Sequence, residues 1–344
     1  MKDINSVSFD ITYNCNFRCK HCYNSSGERC EYTELSDETV RKIAKDIVSH
    51  TPDSMCICGG EPLLRKDLAC DIARIIKKDG PSTSVAMVTN GFLMTEEIAL
   101  ELKESGIERI QISLDGATSQ SHDWLRRPGS FDAALKAIEC LKKAGVDYAV
   151  AFSPTRKNIG ELEQAIDLAY SLGCSEFRIQ PLMMLGRAIS HPEDFKISYM
   201  EYMKAKYILD EKNQEYIDNN YKCTWGDPLS HLRLSQNLTF YHLIISAEGN
   251  LLASPYLPIS FGNVINHSIE EYVNAGIFNV LRDNKLAYYM ADKITSVDDM
   301  SLQDFGFSGK NDSIQLSLDL LDPNYEEQTQ KSLDDFIKNE TETR

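Results

Sequence analysis

The sequence predicts an α/β protein of parallel strands and crossover helices, followed by a smaller α+β unit. Two observations carry that class. Apolar strands and amphipathic helices alternate about six times over roughly the first 180 residues, joined by short loops. Past Pro181 the alternation stops, and hairpin and turn chemistry takes over. Alternation of this kind implies right-handed crossovers and reactive side chains at the C-terminal ends of the strands, where the βα loops gather.

The elements follow in order. Residues 7–12 alternate as a strand. Ser36 is placed to cap a helix in which Val40, Ile43, Ala44, Ile47 and Val48 recur at helical spacing. A short apolar strand at 55–58 runs into Gly59-Gly60-Glu61-Pro62, and Leu68, Ile72 and Ile75 mark the next helix. The third strand, 84–88, ends at Thr89-Asn90-Gly91, and Thr95 starts a helix carrying Ile98 and Leu102. The fourth, 109–114, ends at Asp115-Gly116. A helix over 131–144, a strand over 147–152, a helix over 161–172 and a strand over 176–180 complete six units. Beyond them the expectation is a helix over 199–210, then a polar loop over 219–227 that contains Cys223 and Trp225. Strands at 241–246 and 250–253 flank a turn at Gly249, and a short helix covers 269–280. The division is therefore 1–190, 191–295 and an acidic segment 296–344, partly flexible, its last dozen residues frayed.

Composition narrows the function. The 344 residues are 42% hydrophobic and 26% charged, ordinary for a globular chain. No apolar run approaches a membrane span, and the first residues lack a signal-peptide core, so a cytoplasmic enzyme without a membrane partner is expected. Lys plus Arg number 36 against 52 Asp plus Glu, a formal charge of −16. That field repels nucleic acid and is compatible with a basic peptide. Ten cysteines in such a chain point to thiolate chemistry in a reducing compartment rather than a disulfide framework.

The chemistry concentrates at strand ends. Cys15, Cys19 and Cys22 share one loop directly after the first strand. Thiolates suit iron–sulfur clusters or zinc, but no second cysteine pair closes a zinc shell. Two glycines at 59 and 60 allow a close backbone approach to a ligand, and Glu61 is an acceptor for an ammonium group. Cys58, Cys30, Cys56, Cys70, Cys140 and Cys174 are scattered. Cys58 reads as ligand, donor or packed thiol, and structural thiols account for most of the others.

The CxxxCxxC loop followed by Gly59-Gly60-Glu61-Pro62, Thr89-Asn90-Gly91 and Ser113-Leu114-Asp115-Gly116, in that order, resembles the radical S-adenosylmethionine (SAM) superfamily. The resemblance implies a partial (βα)6 barrel. It implies one 4Fe–4S cluster on Cys15, Cys19 and Cys22, with its open iron chelating SAM. Reductive cleavage of SAM would then yield a 5′-deoxyadenosyl radical that abstracts hydrogen. By the same resemblance His21 lies near the adenine, and Tyr23 matches the peptide-maturase form of the loop or simply packs. Gly59, Gly60 and Glu61 receive the SAM amino group, while Asn90, Ser113 and Asp115 set the site. Arg126, favoured over Arg127, pairs with the SAM carboxylate. Leu182 packs on adenine or in the core. Asp115-Gly116-Ala117-Thr118, His122, Gly129-Ser130-Phe131 and Ala144-Gly145 are similar to the SPASM/twitch branch. Members of that branch mature ribosomal peptides, activate sulfatases or build cofactors such as quinones and haems.

The chain departs from that branch in one respect. Beyond Cys174 the only cysteine is Cys223, where relatives place auxiliary-cluster ligands. One thiolate cannot hold a four-thiolate cluster, so a single cluster is expected, with Cys223 as relic, packing or hydrogen-donating catalytic thiol. The expected function is modification of a peptide or protein side chain, with a low-potential flavodoxin- or ferredoxin-type electron donor. Radical chemistry on a small metabolite or cofactor precursor is the second reading, and an iron–sulfur carrier or redox sensor the third.

Overall fold

The structure, a computed structural model, describes residues 4–28, 33–182, 184–190, 192–295 and 316–343. Cys30 and residues 296–315 lie outside the described residues. Six parallel strands come first: β1 (Ser6–Asp10), β2 (Ser54–Cys58), β3 (Ser84–Thr89), β4 (Arg109–Ser113), β5 (Asp147–Phe152) and β6 (Glu176–Ile179). Between them run α1 (Asp37–Ser49), α2 (Lys66–Asp79), α3 (Glu96–Ser105), α4 (Ser119–Leu125), α5 (Ser130–Ala144) and α6 (Leu162–Leu172). The strands neighbour one another in sequence order, the arrangement of a partial (βα)6 barrel.

The pleat separates two chemistries. Phe9, Ile57, Met87, Ile112, Val150 and Phe177 point one way and are fully buried against the helices. Helix α1 shows why those helices dock: Val40, Ile43, Ala44, Ile47 and Val48 form one buried stripe, and the Ser36 hydroxyl caps the Thr39 N–H. The opposite parity brings Cys58, Val88, Gln111, Ala151 and Arg178 to one open lumen.

Beyond β6 the structure departs from expectation in three places. Residues 219–227 are not simply a polar loop, because β7 (Lys222–Trp225) pairs in parallel with β6 and puts Cys223 opposite Phe177. It follows α7 (Pro192–Phe195) and α8 (Tyr199–Glu215), the latter five residues longer than the expected helix, and precedes α9 (Pro228–Ser235). The hairpin forms as β8 (His242–Ile245) and β9 (Asn250–Leu252), but β8 also pairs in parallel with β1, and β10 (Ile259–Asn263) joins β9. The helix expected at 269–280 is broken at Gly276 into α10 (Ile269–Asn274) and α11 (Val280–Asp283), before α12 (Lys285–Lys293).

Strand β11 (Leu316–Ser317) closes the far edge of an 11-stranded sheet. The last dozen described residues are not frayed: α13 (Tyr325–Thr343) packs on α12. Its Thr329 and Phe336 are buried, and the Phe336 ring lies 5.9 Å from that of Tyr289. No helix among the described residues is long and apolar enough to cross a membrane.

Candidate active site

The C-terminal ends of the six strands open on a cavity of about 320 Å³. Cys15, Cys19 and Cys22 line it together with His21, Tyr23, Gly59, Gly60, Asn90, Ser113, Arg126 and Leu182. Glu61 and Asp115, also assigned to the site from sequence, lie behind this surface and line none of it.

The cysteine loop is fixed from below and from the side. The Glu34 carboxylate accepts hydrogen bonds from Tyr13 N (2.7 Å), Asn14 N (3.1 Å) and the Thr12 hydroxyl (2.8 Å). Gly60 N donates to Thr12 O (2.7 Å) and Glu61 N to Asn14 O (2.9 Å). A Cβ on Gly60 would stand 2.3 Å from Asn14 O, and one on Gly59 2.4 Å from Thr12 O. The glycines are therefore needed for the approach of one backbone to another, as well as lining the cavity.

Glu61 is wholly buried, and its carboxylate is already engaged. It accepts from Leu63 N (3.0 Å), the Thr89 hydroxyl (2.6 Å) and Asn90 N (2.8 Å). It ties the end of β2 to the end of β3. Burial pushes its carboxyl pKa up despite those bonds.

Asp115 is the hub at the end of β4. Its Oδ2 accepts from Arg126 Nε at 2.5 Å, and its Oδ1 from Ser153 N at 2.8 Å. His21 Nε2 stands 3.5 Å away. Asp115 N donates to His122 Nδ1 (3.0 Å), and Asn158 Nδ2 to Asp115 O (2.9 Å). Burial alone would raise this carboxyl, but the Arg126 guanidinium, with His21 and His122, holds it below the usual range. Burial pushes both His21 and His122 down to about 4, so both rings are neutral near pH 7. Arg126 turns its Nη1 to within 3.8 Å of Cys19 Sγ. Arg127 instead reaches Asn16 O (3.2 Å) and lies over the Phe92 ring (4.7 Å), outside the cavity.

Two site residues carry no motif in the sequence. Arg187, after β6, donates from Nε to Cys19 O (2.8 Å) and from Nη1 to Ser26 O (3.0 Å), clasping the cysteine loop from the far side. Gly186 makes room for it, since a Cβ there would lie 2.4 Å from Cys22 O. A Gly-Arg pair just after the sixth strand is the one signal that was available.

Of the three readings of Cys223, its position fits packing: it lies in β7 on the helix side of the sheet, buried, and does not line the cavity. Burial pushes its thiol up to about 12. The parity of the strand turns it away from any substrate, so a hydrogen-donating role has no geometric support. Cys58 does line the cavity, with its Sγ 3.3 Å from Cys56 Sγ.

The chemistry of the donor set fits a cluster: three thiols from one loop line the same cavity, and a cubane takes one thiolate per iron. Burial raises the Cys15 thiol, and Cys19 to about 12, while Arg126 favours the thiolate form of Cys19. Iron binding displaces those protons. Asn16 Nδ2, His21 Nδ1 and Asn24 Nδ2 are buried around the loop with no hydrogen-bond partner among the described residues.

Comparison with known proteins agrees. Residues 9–169 match the model of the radical SAM superfamily. The AdoMet-dependent heme synthase of Methanosarcina barkeri is 26% identical over 300 residues, covering 80% of this chain and 84% of that protein. The mycofactocin maturase MftC of Mycolicibacterium smegmatis is 35% identical over 184 residues, 53% of this chain and 45% of that one. The chain thus spans most of the first relative and under half of the second. The crystal structure of Streptococcus suis SuiB bound to precursor peptide SuiA superposes with a TM-score of 0.66 at 12% identity, over 91% of this chain and 76% of that one. With the ordered strand-end motifs, these matches identify residues 9–169 as a domain of the radical SAM superfamily, and the chain as an enzyme whose cofactors are a 4Fe–4S cluster and SAM.

Proposed function

We propose that this enzyme modifies a side chain of a peptide or protein by hydrogen abstraction. The observation that carries the reading is the convergence of Cys15, Cys19 and Cys22 with Gly59, Gly60 and Arg126 on one cavity at the strand ends. When bound, the cluster and SAM supply reductive cleavage of the sulfonium to methionine and a 5′-deoxyadenosyl radical.

The chain's own residues do the rest. Cys15, Cys19 and Cys22 hold the cluster. The Gly59–Gly60 backbone receives the SAM ammonium, and Arg126, oriented by Asp115, receives its carboxylate through the guanidinium edge that Asp115 leaves free. Ser113 and Asn90 line the wall for the ribose, His21 and Leu182 for the adenine. A single cluster serves the enzyme, its electron coming from a flavodoxin- or ferredoxin-type donor.

The peptide reading is supported by the SuiB complex, whose precursor peptide is bound by a protein of the same fold. A second reading, radical chemistry on a small cofactor precursor, is favoured by the heme synthase that matches most of the chain.

The test is anaerobic reconstitution followed by mass spectrometry. Wild-type enzyme with dithionite is expected to form 5′-deoxyadenosine and methionine one to one. Peptides encoded beside the gene should accelerate turnover and lose hydrogen. An intact reduced cluster that never cleaves SAM overturns the reading. Cleavage stimulated by a small carboxylated precursor, and by no peptide, replaces it with the second.

A further inference from the structure

We propose that Arg178 docks a carboxylate of the substrate in the barrel lumen. This rests on the reading of the chain as a SAM-dependent radical enzyme, whichever substrate it takes, and adds the chemical class that the substrate must carry.

The argument starts from charge. The chain bears a formal charge of −16, yet three arginines and no Asp or Glu line the cavity. Two of the three are compensated from behind: Arg126 by Asp115 at 2.5 Å and Arg187 by Glu28 at 3.1 Å. Arg178 has no ion pair and no hydrogen bond among the described residues. Glu176, two residues below it on the same strand face, is already held by Arg109 (2.9 Å) and Lys222 (3.5 Å). An unpaired guanidinium lining a concave site is a receptor for a carboxylate, which it binds through two parallel N–H donors.

Position supplies the second step. Arg178 lies on the lumen face of β6, in register with Ala151 of β5 and Thr224 of β7, and through Ala151 with Ser113 of β4. With Arg126 assigned to the carboxylate of SAM, Arg178 is the cavity-lining arginine left for a substrate. The small side chain of Ala151 leaves that wall open.

Hydrogen-bonding groups surround the same spot. Gln180, the next lumen residue toward the mouth, donates to the Tyr256 hydroxyl at 2.9 Å. Gln111 of β4 also lines the cavity. On the other side His242 of β8 bonds Ser6 (2.6 Å) and is neutral, pushed down to about 4 by burial with His231 and Arg178 nearby. Among the described residues Arg178 is thus the one cavity-lining arginine with no carboxylate partner. Carboxylates of two origins meet the requirement: an acidic residue or C-terminus of a peptide, and the propionates of a tetrapyrrole.

The experiment uses SAM-loaded, cluster-bearing enzyme under anaerobic conditions. Coproporphyrin III, a tetracarboxylate, is titrated against its tetramethyl ester by the Soret shift. A panel of short glutamate-containing peptides is titrated against their glutamine counterparts by fluorescence anisotropy. At least one acid is expected to bind ten-fold or more tightly than its neutral partner. Arg178→Gln should erase that preference and Arg178→Lys should restore part of it, with melting curves reporting whether each variant is folded. The member that binds names the source of the carboxylate. The proposal is overturned if no acid outbinds its neutral partner, or if folded Arg178→Gln keeps the preference. It is equally overturned if that variant loses SAM affinity ten-fold while the preference survives, which would assign Arg178 to SAM. Cleavage of SAM by wild-type enzyme is measured separately, so failure of the docking site and failure of the radical reading give different results.

Discussion

The first six βα units and the additions that follow them are built from the same sheet and do different work. In the first region every strand end delivers something to the cavity: the thiols after β1, two glycines after β2, Asn90 after β3, Ser113 at the end of β4 with Asp115 just behind, Ser153 after β5, and Leu182 with Arg187 after β6. In the second region the sheet grows outward. Strand β8 zips onto the free edge of β1, β7 onto β6, and α13 seals α12. Its contribution to the site is indirect, through Tyr256 holding Gln180. A half-open barrel has two exposed edges, and edges left bare invite other chains. The additions cover both edges while leaving the lumen accessible between them.

The sharpest way to break this contrast is at the mouth. Cys19→Ala is expected to lose cluster binding and to reduce 5′-deoxyadenosine formation to background, read by iron content, the visible spectrum and mass spectrometry. Its fold should persist, because the loop is also held by Arg187 and Lys20 through backbone carbonyls. A Cys19→Ala enzyme that still cleaved SAM would move the chemistry away from this loop.

A smaller effect is expected one layer back. Asp115→Asn leaves the Arg126 charge buried without its partner, and breaking a buried pair of this kind costs about 3–5 kcal/mol. SAM affinity should fall as well, since Arg126 loses its orientation beside Cys19. Chemical denaturation and SAM titration read the two effects. If affinity alone fell while stability held, Asp115 would be a contact of the cofactor and not the hub of the strand ends.

The same contrast explains what was legible in the sequence. Strand ends announce themselves because period-2 strands stop at Cys, Gly-Gly, Thr-Asn-Gly and Ser-Leu-Asp-Gly, and those residue types make sense only where the backbone turns toward a ligand. Burial at the ends was not legible: Glu61 reads as an acceptor for an ammonium group, yet its carboxylate, like that of Asp115, is wholly inside and bonded to its neighbours. Strand β7 was hidden because Lys-Cys-Thr-Trp is short and set among polar residues, and its stability comes from pairing with β6 rather than from its own pattern. Helix α13 did leave a trace. Tyr325, Thr329, Leu333 and Phe336 recur at spacings of four, four and three, which is one helical face, but the acidic residues between them hid it.

The mildest change falls on the far side of the sheet. Cys223 packs between β7 and the helices, near Tyr221 and Cys174, with its N–H bonded to Asn213 Oδ1 at 2.7 Å. Cys223→Ala removes one buried sulfur and its contact with Tyr221, and a truncation of that size costs on the order of 1 kcal/mol. The bond to Asn213 comes from the backbone and survives the substitution. Turnover and the hydrogen isotope content of product should match wild type, because the thiol and the cavity lie on opposite faces of the sheet. Product lacking solvent-derived deuterium in the variant, where wild type incorporates it, would show the thiol reaching the substrate. That outcome would require β7 to turn over, and with it the separation of the two faces on which the contrast between the regions rests.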